Sequence, residues 1–131
     1  MLDSKKDAQN ASIVEAQNAA KELLERNTGF EEVIPILAKY NKRKYNVMKL
    51  LEELSELSEV LLKTETKIPE KRPDPQLIIE EIGDVFLRLG IYMEMQDGGT
   101  EEIMDKVEER INYKANKLLL YVAEGKYPGG V

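Results

Sequence analysis

Two short acidic segments hold the residue types best suited to chemistry in this chain, Glu52-Glu53-Leu54-Ser55-Glu56 and Glu81-Ile82-Gly83-Asp84. Each sets carboxylates three residues apart, Glu53 with Glu56 and Glu81 with Asp84. On a helix turning about 100° per residue, positions i and i+3 project from one side, so each segment offers a two-carboxylate claw. Four carboxylates brought together repel and raise one another's pKa unless a cation neutralises them. Oxygen-only ligation favours Mg²⁺, Mn²⁺ or Ca²⁺, and Mg²⁺ commonly joins carboxylates to substrate phosphates. Spacing leaves Glu52 and Glu53 both open as partners of Glu56, because i,i+4 neighbours also share a face. The plain alternative is that all these acids are solvated cover on helix flanks.

The elements that must position the claws read as helices throughout, with no strand pattern. A capping-box pattern at Ser4 to Asp7 predicts a first amphipathic helix to about Arg26, with Ile13, Ala16, Ala20, Leu23 and Leu24 near one side. Asn27-Thr28-Gly29 closes it. The capping pattern repeats at Thr28 to Glu31 before a short helix to about Tyr40, which Pro35 is expected to kink or shorten. A third helix, roughly Lys42 to Lys63, puts Val47, Leu50, Leu54, Leu57 and Leu61 on its core face, followed by a loop from Thr64 to Pro73.

Asp74-Pro75 predicts an N-cap and a proline at the first position of a fourth helix, running to about Asp97 and stopped by Gly98-Gly99. Its core stripe is Ile78, Ile82, Val85 and Leu89. Thr100 is expected to cap a fifth helix from Glu101 to about Glu124, which Gly125 ends. The acids sit on the flank of the core stripe with the same angular sense on both helices. Packed antiparallel, these helices bring the claws together. The expected architecture is an all-α bundle of four to five helices, with the two acidic helices antiparallel. The corresponding domain reading is an N-terminal amphipathic helix at 1–27, a helical domain at 28–125 and a flexible tail at 126–131.

Composition narrows the chemistry further. The 131 residues include no Cys, His or Trp. Disulfide frameworks, Cys/His zinc sites, thiol nucleophiles and Ser-His-Asp arrangements are therefore excluded. The absence of histidine also removes the Glu-x-x-His elements of di-iron bundles, and no Asp-x-Asp-x-Asp-Gly calcium loop occurs. The net charge of −6 argues against nucleic-acid binding through phosphate neutralisation, though not against small phosphorylated ligands. The longest apolar run is Leu118 to Ala123, and the N-terminus has no apolar signal core, so the expectation is a cytoplasmic protein without a membrane span.

Glu-Glu-x-x-Glu, followed after residues 57–80 by Glu-x-x-Asp inside Glu-Ile-Gly-Asp-Val, resembles the signature of MazG-like nucleoside triphosphate pyrophosphohydrolases. That all-α superfamily includes dimeric dUTPases, dCTP pyrophosphatases and phosphoribosyl-ATP pyrophosphohydrolases. The resemblance covers roughly Tyr40 to Lys117. It implies Mg²⁺ held by Glu53, Glu56, Glu81 and Asp84, with Glu52 as a supporting acid; oxygen-only ligation leaves Mn²⁺ open as well. It also implies cleavage of a nucleoside triphosphate between the α- and β-phosphates, giving a monophosphate and pyrophosphate. The helix before Asn27 and the tail have no counterpart in the pattern.

Such a reaction needs a proton acceptor, and without histidine a carboxylate is expected, Glu52 or Glu53 first. It also needs cations for phosphate oxygens. Lys106, Arg110, Lys114 and Lys117 form a basic stripe on the fifth helix, beside Ile103, Val107, Ile111 and Leu118. Lys49 and Arg88 lie one turn from Glu53 and Asp84. All six are candidate phosphate contacts, and all six are equally suited to i,i+4 pairing with neighbouring acids. Phe30, Tyr40, Tyr45 and Asn46 precede the first claw and could contribute to a base pocket or to the core.

The fourth helix carries a second apolar patch, Leu87 and Ile91, opposite its main stripe, and aligned glycines at 83 and 90. A small domain with a helix apolar on two sides is expected to form a homodimer or homotetramer, as the resemblance also implies. The rival to an enzyme is a non-catalytic helical protein that binds nucleotides or acts as a regulatory partner.

Overall fold

The computed structural model describes residues 2–26 and 30–126. Five helices follow one another, α1 (Leu2–Arg26), α2 (Phe30–Tyr40), α3 (Arg43–Thr66), α4 (Pro75–Glu94) and α5 (Gly99–Ala123), with a single 3-10 turn at Pro69–Lys71. No strand occurs among the described residues, so the fold is an all-α bundle. Contacts divide the chain into two units after Met95. In the first, α3 packs on α4, α2 on α4 and α1 on α2; the second is built on α5.

Several helix ends differ from the sequence expectation for local reasons. α1 already includes Ser4 as an interior residue, so the capping box predicted there does not open it. The capping pattern at Thr28 begins outside the described residues. α2 runs unbroken through Pro35, since a proline removes one backbone donor and Ile34 beside it is buried between packed helices. α3 continues through the predicted loop start to Thr66, where the Thr64 hydroxyl donates to the Val60 carbonyl at 2.8 Å and Thr66 bonds back to Leu62. α4 stops at Glu94, short of Asp97. α5 opens at Gly99 behind Gly98, whose φ of 87° places it in the left-handed region that glycine enters freely, so Thr100 is inside the helix and does not cap it.

The start of α4 is as the sequence predicts. The Asp74 carboxylate accepts from the Gln76 N–H at 2.9 Å, with Pro75 in the first turn. Asp74→Ala is expected to lower stability by about 1 kcal/mol, read as a shift of the urea midpoint at unchanged slope.

α3 and α4 run antiparallel. Asn46 at the start of α3 meets Met95 at the end of α4, while Glu53 meets Glu81 and Asp84 further along. The core of the described chain is small: Ile34, Leu50, Val60, Val85 and Ile91 are its buried apolar residues. Asn46 is buried with them at 1% exposure. Its Nδ2 donates to the Met95 thioether at 3.1 Å, and its Oδ1 has no partner. A thioether is a weak acceptor, so this buried amide is poorly compensated. Asn46→Leu, similar in size and apolar, is expected to raise stability by about 1 kcal/mol in the same urea assay.

The packing face of α3 differs from the predicted apolar stripe. It is centred on Asn46, Leu50, Glu53, Leu57 and Val60, while Leu54 and Leu61 are exposed. On α4, Val85 is buried but Ile82 is exposed. Both helices have turned so that Glu53 and Glu81 approach the seam and part of each apolar arc faces outward. The patch at Leu87 and Ile91 is likewise not free. α4 is packed by α2 as well as α3, Ile91 is 1% exposed and Leu87 is half-buried.

Candidate metal centre

The α3–α4 seam draws carboxylates from both helices into one group. One oxygen each of Glu53, Glu81 and Asp84 lie within 4.8 Å of one another. Glu53 and Glu81 are half-buried, and Asp84 is exposed at the mouth. One oxygen of Glu53 and one of Glu81, both Oε2, are buried with no hydrogen-bond partner. A buried carboxylate oxygen without a donor is costly, and native proteins rarely retain one unless a cation or ligand uses it. Two of them side by side, with a third carboxylate in reach, form a hard-oxygen donor set suited to Mg²⁺ or Mn²⁺.

Electrostatics describe the same cluster. Burial pushes the Glu53 carboxyl above its ordinary value, and Glu56, Asp84 and Glu81 push it in the same direction. Burial also raises Glu81, helped by the charges of Glu56, Asp84 and Glu80. Glu56 acts on both through its charge. It is thus a neighbour of the three clustered acids, although its own side chain is more exposed.

The structure separates Glu52 from Glu53, which spacing alone leaves equivalent. Glu52 lies outside the three-carboxylate group and accepts from the Lys49 ammonium at 3.0 Å, on a half-exposed flank. That bond raises the Lys49 pKa, opposed by the charge of nearby Arg88. Lys49 and Arg88 are therefore close enough to act on each other, one from each helix, along the acidic edge. Lys106, Arg110, Lys114 and Lys117 are exposed on α5 and belong to the second unit. There Arg110 lies 4.9 Å from the centre of the Tyr113 ring and Lys117 lies 5.8 Å from that of Tyr121, a cation–π pairing that occupies part of the stripe.

Of the residues considered for a base pocket, Tyr40 and Tyr45 are exposed and Asn46 is buried. A cleft of about 290 Å³ lies between α2 and the facing ends of α3 and α4, lined by Pro35, Ala38, Lys39, Arg43, Glu94 and Met95. Arg43 donates to the Met95 carbonyl at 3.4 Å and lies 5.8 Å from the Tyr92 ring centre. Apart from Pro35, read only as a helix kink, none of these positions stood out in the sequence, because their proximity is set by the antiparallel pairing. The acidic group lies outside this cleft, about two helical turns along α3 from Asn46.

No family model matches the chain, and no curated protein or solved structure matches it either. The seam geometry and the acidic motifs are what bear on function. No described helix is long and apolar enough to cross a membrane.

Proposed function

We propose that this protein is a Mg²⁺-dependent nucleoside triphosphate pyrophosphohydrolase, cleaving between the α- and β-phosphates to give a nucleoside monophosphate and pyrophosphate. The observation that carries the reading is the pair of buried, unpartnered carboxylate oxygens of Glu53 and Glu81 beside Asp84. The acidic motifs on which the family resemblance rests are the segments that supply them. Glu53, Glu81 and Asp84 hold the ion, with Glu56 beside them, and Mn²⁺ substitutes for Mg²⁺. When bound, the ion neutralises phosphate charge and lowers the pKa of a coordinated water.

The chain's own groups do the rest. Glu53, through a carboxylate oxygen in the cluster, accepts the proton of the attacking water. The water oxygen bonds to the α-phosphorus, the bond from that phosphorus to the bridging oxygen breaks, and pyrophosphate leaves with the electron pair. Lys49 and Arg88, in the same unit as the acids, meet phosphate oxygens at the edge of the site. For Lys49 this requires exchanging its exposed bond to Glu52, a pair of the kind worth little in water. Glu52, released from that bond, is the supporting acid and the alternative proton acceptor beside Glu53. The setting is the cytoplasm, and the working form is an oligomer of identical chains.

The test is pyrophosphate release from a panel of ribo- and deoxyribonucleoside triphosphates with Mg²⁺ and with EDTA. Metal-dependent release of monophosphate and pyrophosphate, lost in Glu53→Gln and Asp84→Asn, is expected. A folded protein that binds Mn²⁺ yet turns over no nucleotide would assign it to the non-catalytic binding or regulatory class.

A further inference from the structure

Met95 holds a buried hydrogen-bond donor with a sulfur that accepts only weakly. It closes α4, where its N–H donates to the Ile91 and Tyr92 carbonyls at 3.2 Å and its carbonyl accepts from Arg43. Its backbone is therefore fixed from both sides. Its sulfur accepts from the Asn46 side-chain nitrogen at 3.1 Å, and among the described residues it is the methionine whose sulfur takes a hydrogen bond. Asn46 is 1% exposed, so water does not compete for that donor. Met95 itself is half-buried and lines the cleft of about 290 Å³ with Lys39 and Arg43, which opens it to small solutes.

We propose that Met95 is a site of reversible oxidation, at which hydrogen peroxide converts the thioether to a sulfoxide and Asn46 is the preformed donor that holds the new oxygen. A sulfur lone pair attacks one peroxide oxygen, the O–O bond breaks, and the second oxygen leaves as hydroxide with that bond's electron pair. The hydroxide takes the proton of the transferred hydroxyl, giving water and a neutral sulfoxide. Sulfur is oxidised by two electrons and the peroxide is reduced by two. The site is independent of the hydrolase reading, because Asn46 lies about two helical turns from Glu53 along α3.

Three features single out this residue. Oxidising a methionine ordinarily costs stability, because it puts a polar S–O group into apolar packing. Here the new oxygen meets a buried N–H that has only a weak acceptor, and the flexible methionine side chain can swing the oxygen onto it. A sulfoxide carries no donor, so the partnerless Asn46 Oδ1 gains nothing and the whole benefit falls at Nδ2.

The second feature is charge. Lys39 and Arg43 line the same cleft and outnumber Glu94, its one acid, so the lining favours the negative end of the S–O dipole. The third is the contrast with Met48, which is 58% exposed on α3. A sulfoxide there alters only surface that is already wet. Exposure thus decides which methionine reacts first, whereas Asn46 decides which sulfoxide the fold gains from. Asn46 stands near the start of α3 and Met95 ends α4, so the stronger bond ties the two helices at the end of the seam remote from the acids.

With no Cys and no Trp in the chain, mild hydrogen peroxide reports on methionine. Peptide fragmentation after treatment is expected to place a gain of about 16 Da, one oxygen atom, on Met48 and on Met95, with Met95 restored by methionine sulfoxide reductases. Thermal melts before and after treatment are compared in the wild type, Met95→Leu and Asn46→Leu. Relative to the change in Met95→Leu, oxidation is expected to raise the wild-type melting temperature by about 4 °C, the effect of one improved hydrogen bond in a domain of this size. In Asn46→Leu the sulfoxide faces hydrocarbon, and the same treatment is expected to lower the melting temperature. The Asn46 side-chain amide proton, assigned by its absence in Asn46→Leu, is expected to move downfield in the NMR spectrum of the oxidised wild type.

A Met95 that stays unoxidised while Met48 is fully converted would overturn the proposal. So would an oxidised wild type that melts no higher than this comparison predicts from Met95→Leu, an equal shift with and without Asn46, or an Asn46 amide signal that does not move. None of these readouts uses a nucleotide or a metal, so failure here and failure of the hydrolase reading are distinguishable.

Discussion

Glu53→Gln is expected to lower metal-dependent pyrophosphate release at least a hundredfold and, at the same time, to raise the melting temperature of the metal-free protein. The two effects have one cause. Glu53 is held near Glu81, Asp84 and Glu56 with one oxygen buried and unpartnered. In the absence of a cation its negative charge is a burden on the fold, and glutamine keeps the shape while removing the charge. The same change removes a ligand and the proposed proton acceptor, and losing a general base typically costs 10² to 10⁴ in rate. Steady-state rates with Mg²⁺ and thermal melts in EDTA, run on the same preparations, check both. A variant that loses activity without gaining metal-free stability would mean that Glu53 is not under electrostatic strain. One that gains stability yet keeps full activity would remove it from the chemistry.

This opposition of stability and function explains which parts of the site were legible in the sequence. The two acidic pairs and their helices followed from i,i+3 spacing, caps and breakers, all of which are local. The antiparallel pairing followed from a short connection, which favours antiparallel neighbours. The rotation of each helix about its axis was not legible. On α3 the uncharged arc spans more than half the circumference, so its centre, near Leu54, is a poor guide to the side that packs. The structure packs the boundary of that arc, with Leu50 and Leu57 on one side and Glu53 on the other, and leaves Leu54 outside.

Glu52 and Glu53 are separated by that same rotation, about 100° apart, one at the seam and one on the flank with Lys49. Exposure of Leu51, Ile79 and Phe86 could not be foreseen either, because periodicity marks a face as apolar without saying which molecule covers it. The α5 cations pose the converse problem. Their stripe is plain in the sequence, but no local spacing sets their register against residues of another unit.

The response of stability to pH is expected to reverse sign when metal is added. Glu53 and Glu81 have folded-state pKa values raised above the ordinary 4.5, with burial as the first cause and the neighbouring acids as the second. A group raised in this way binds its proton more tightly in the folded protein. Its contribution is therefore fully present below the unfolded value and is lost as pH rises through the folded one. In EDTA, the melting temperature should rise as pH is lowered from about 7 to about 5. Glu59, lowered by its bond to Lys63, works in the opposite sense, but its contribution changes only below the ordinary value and leaves that window clear.

Metal binding needs the deprotonated carboxylates, so the same protonation that stabilises the empty site competes with the ion. With Mn²⁺ at a hundred times its dissociation constant, binding adds about 2.7 kcal/mol, on the order of 10 °C for a domain this size. That gain should be greatest at neutral pH and shrink toward pH 5, so that melting temperature falls on acidification with Mn²⁺ and rises with EDTA. Parallel pH series in the two conditions would show curves that converge at the acid end. If the curves instead stay a constant distance apart, the ion is bound by groups that do not titrate in this range, and Glu53 and Glu81 are not its ligands.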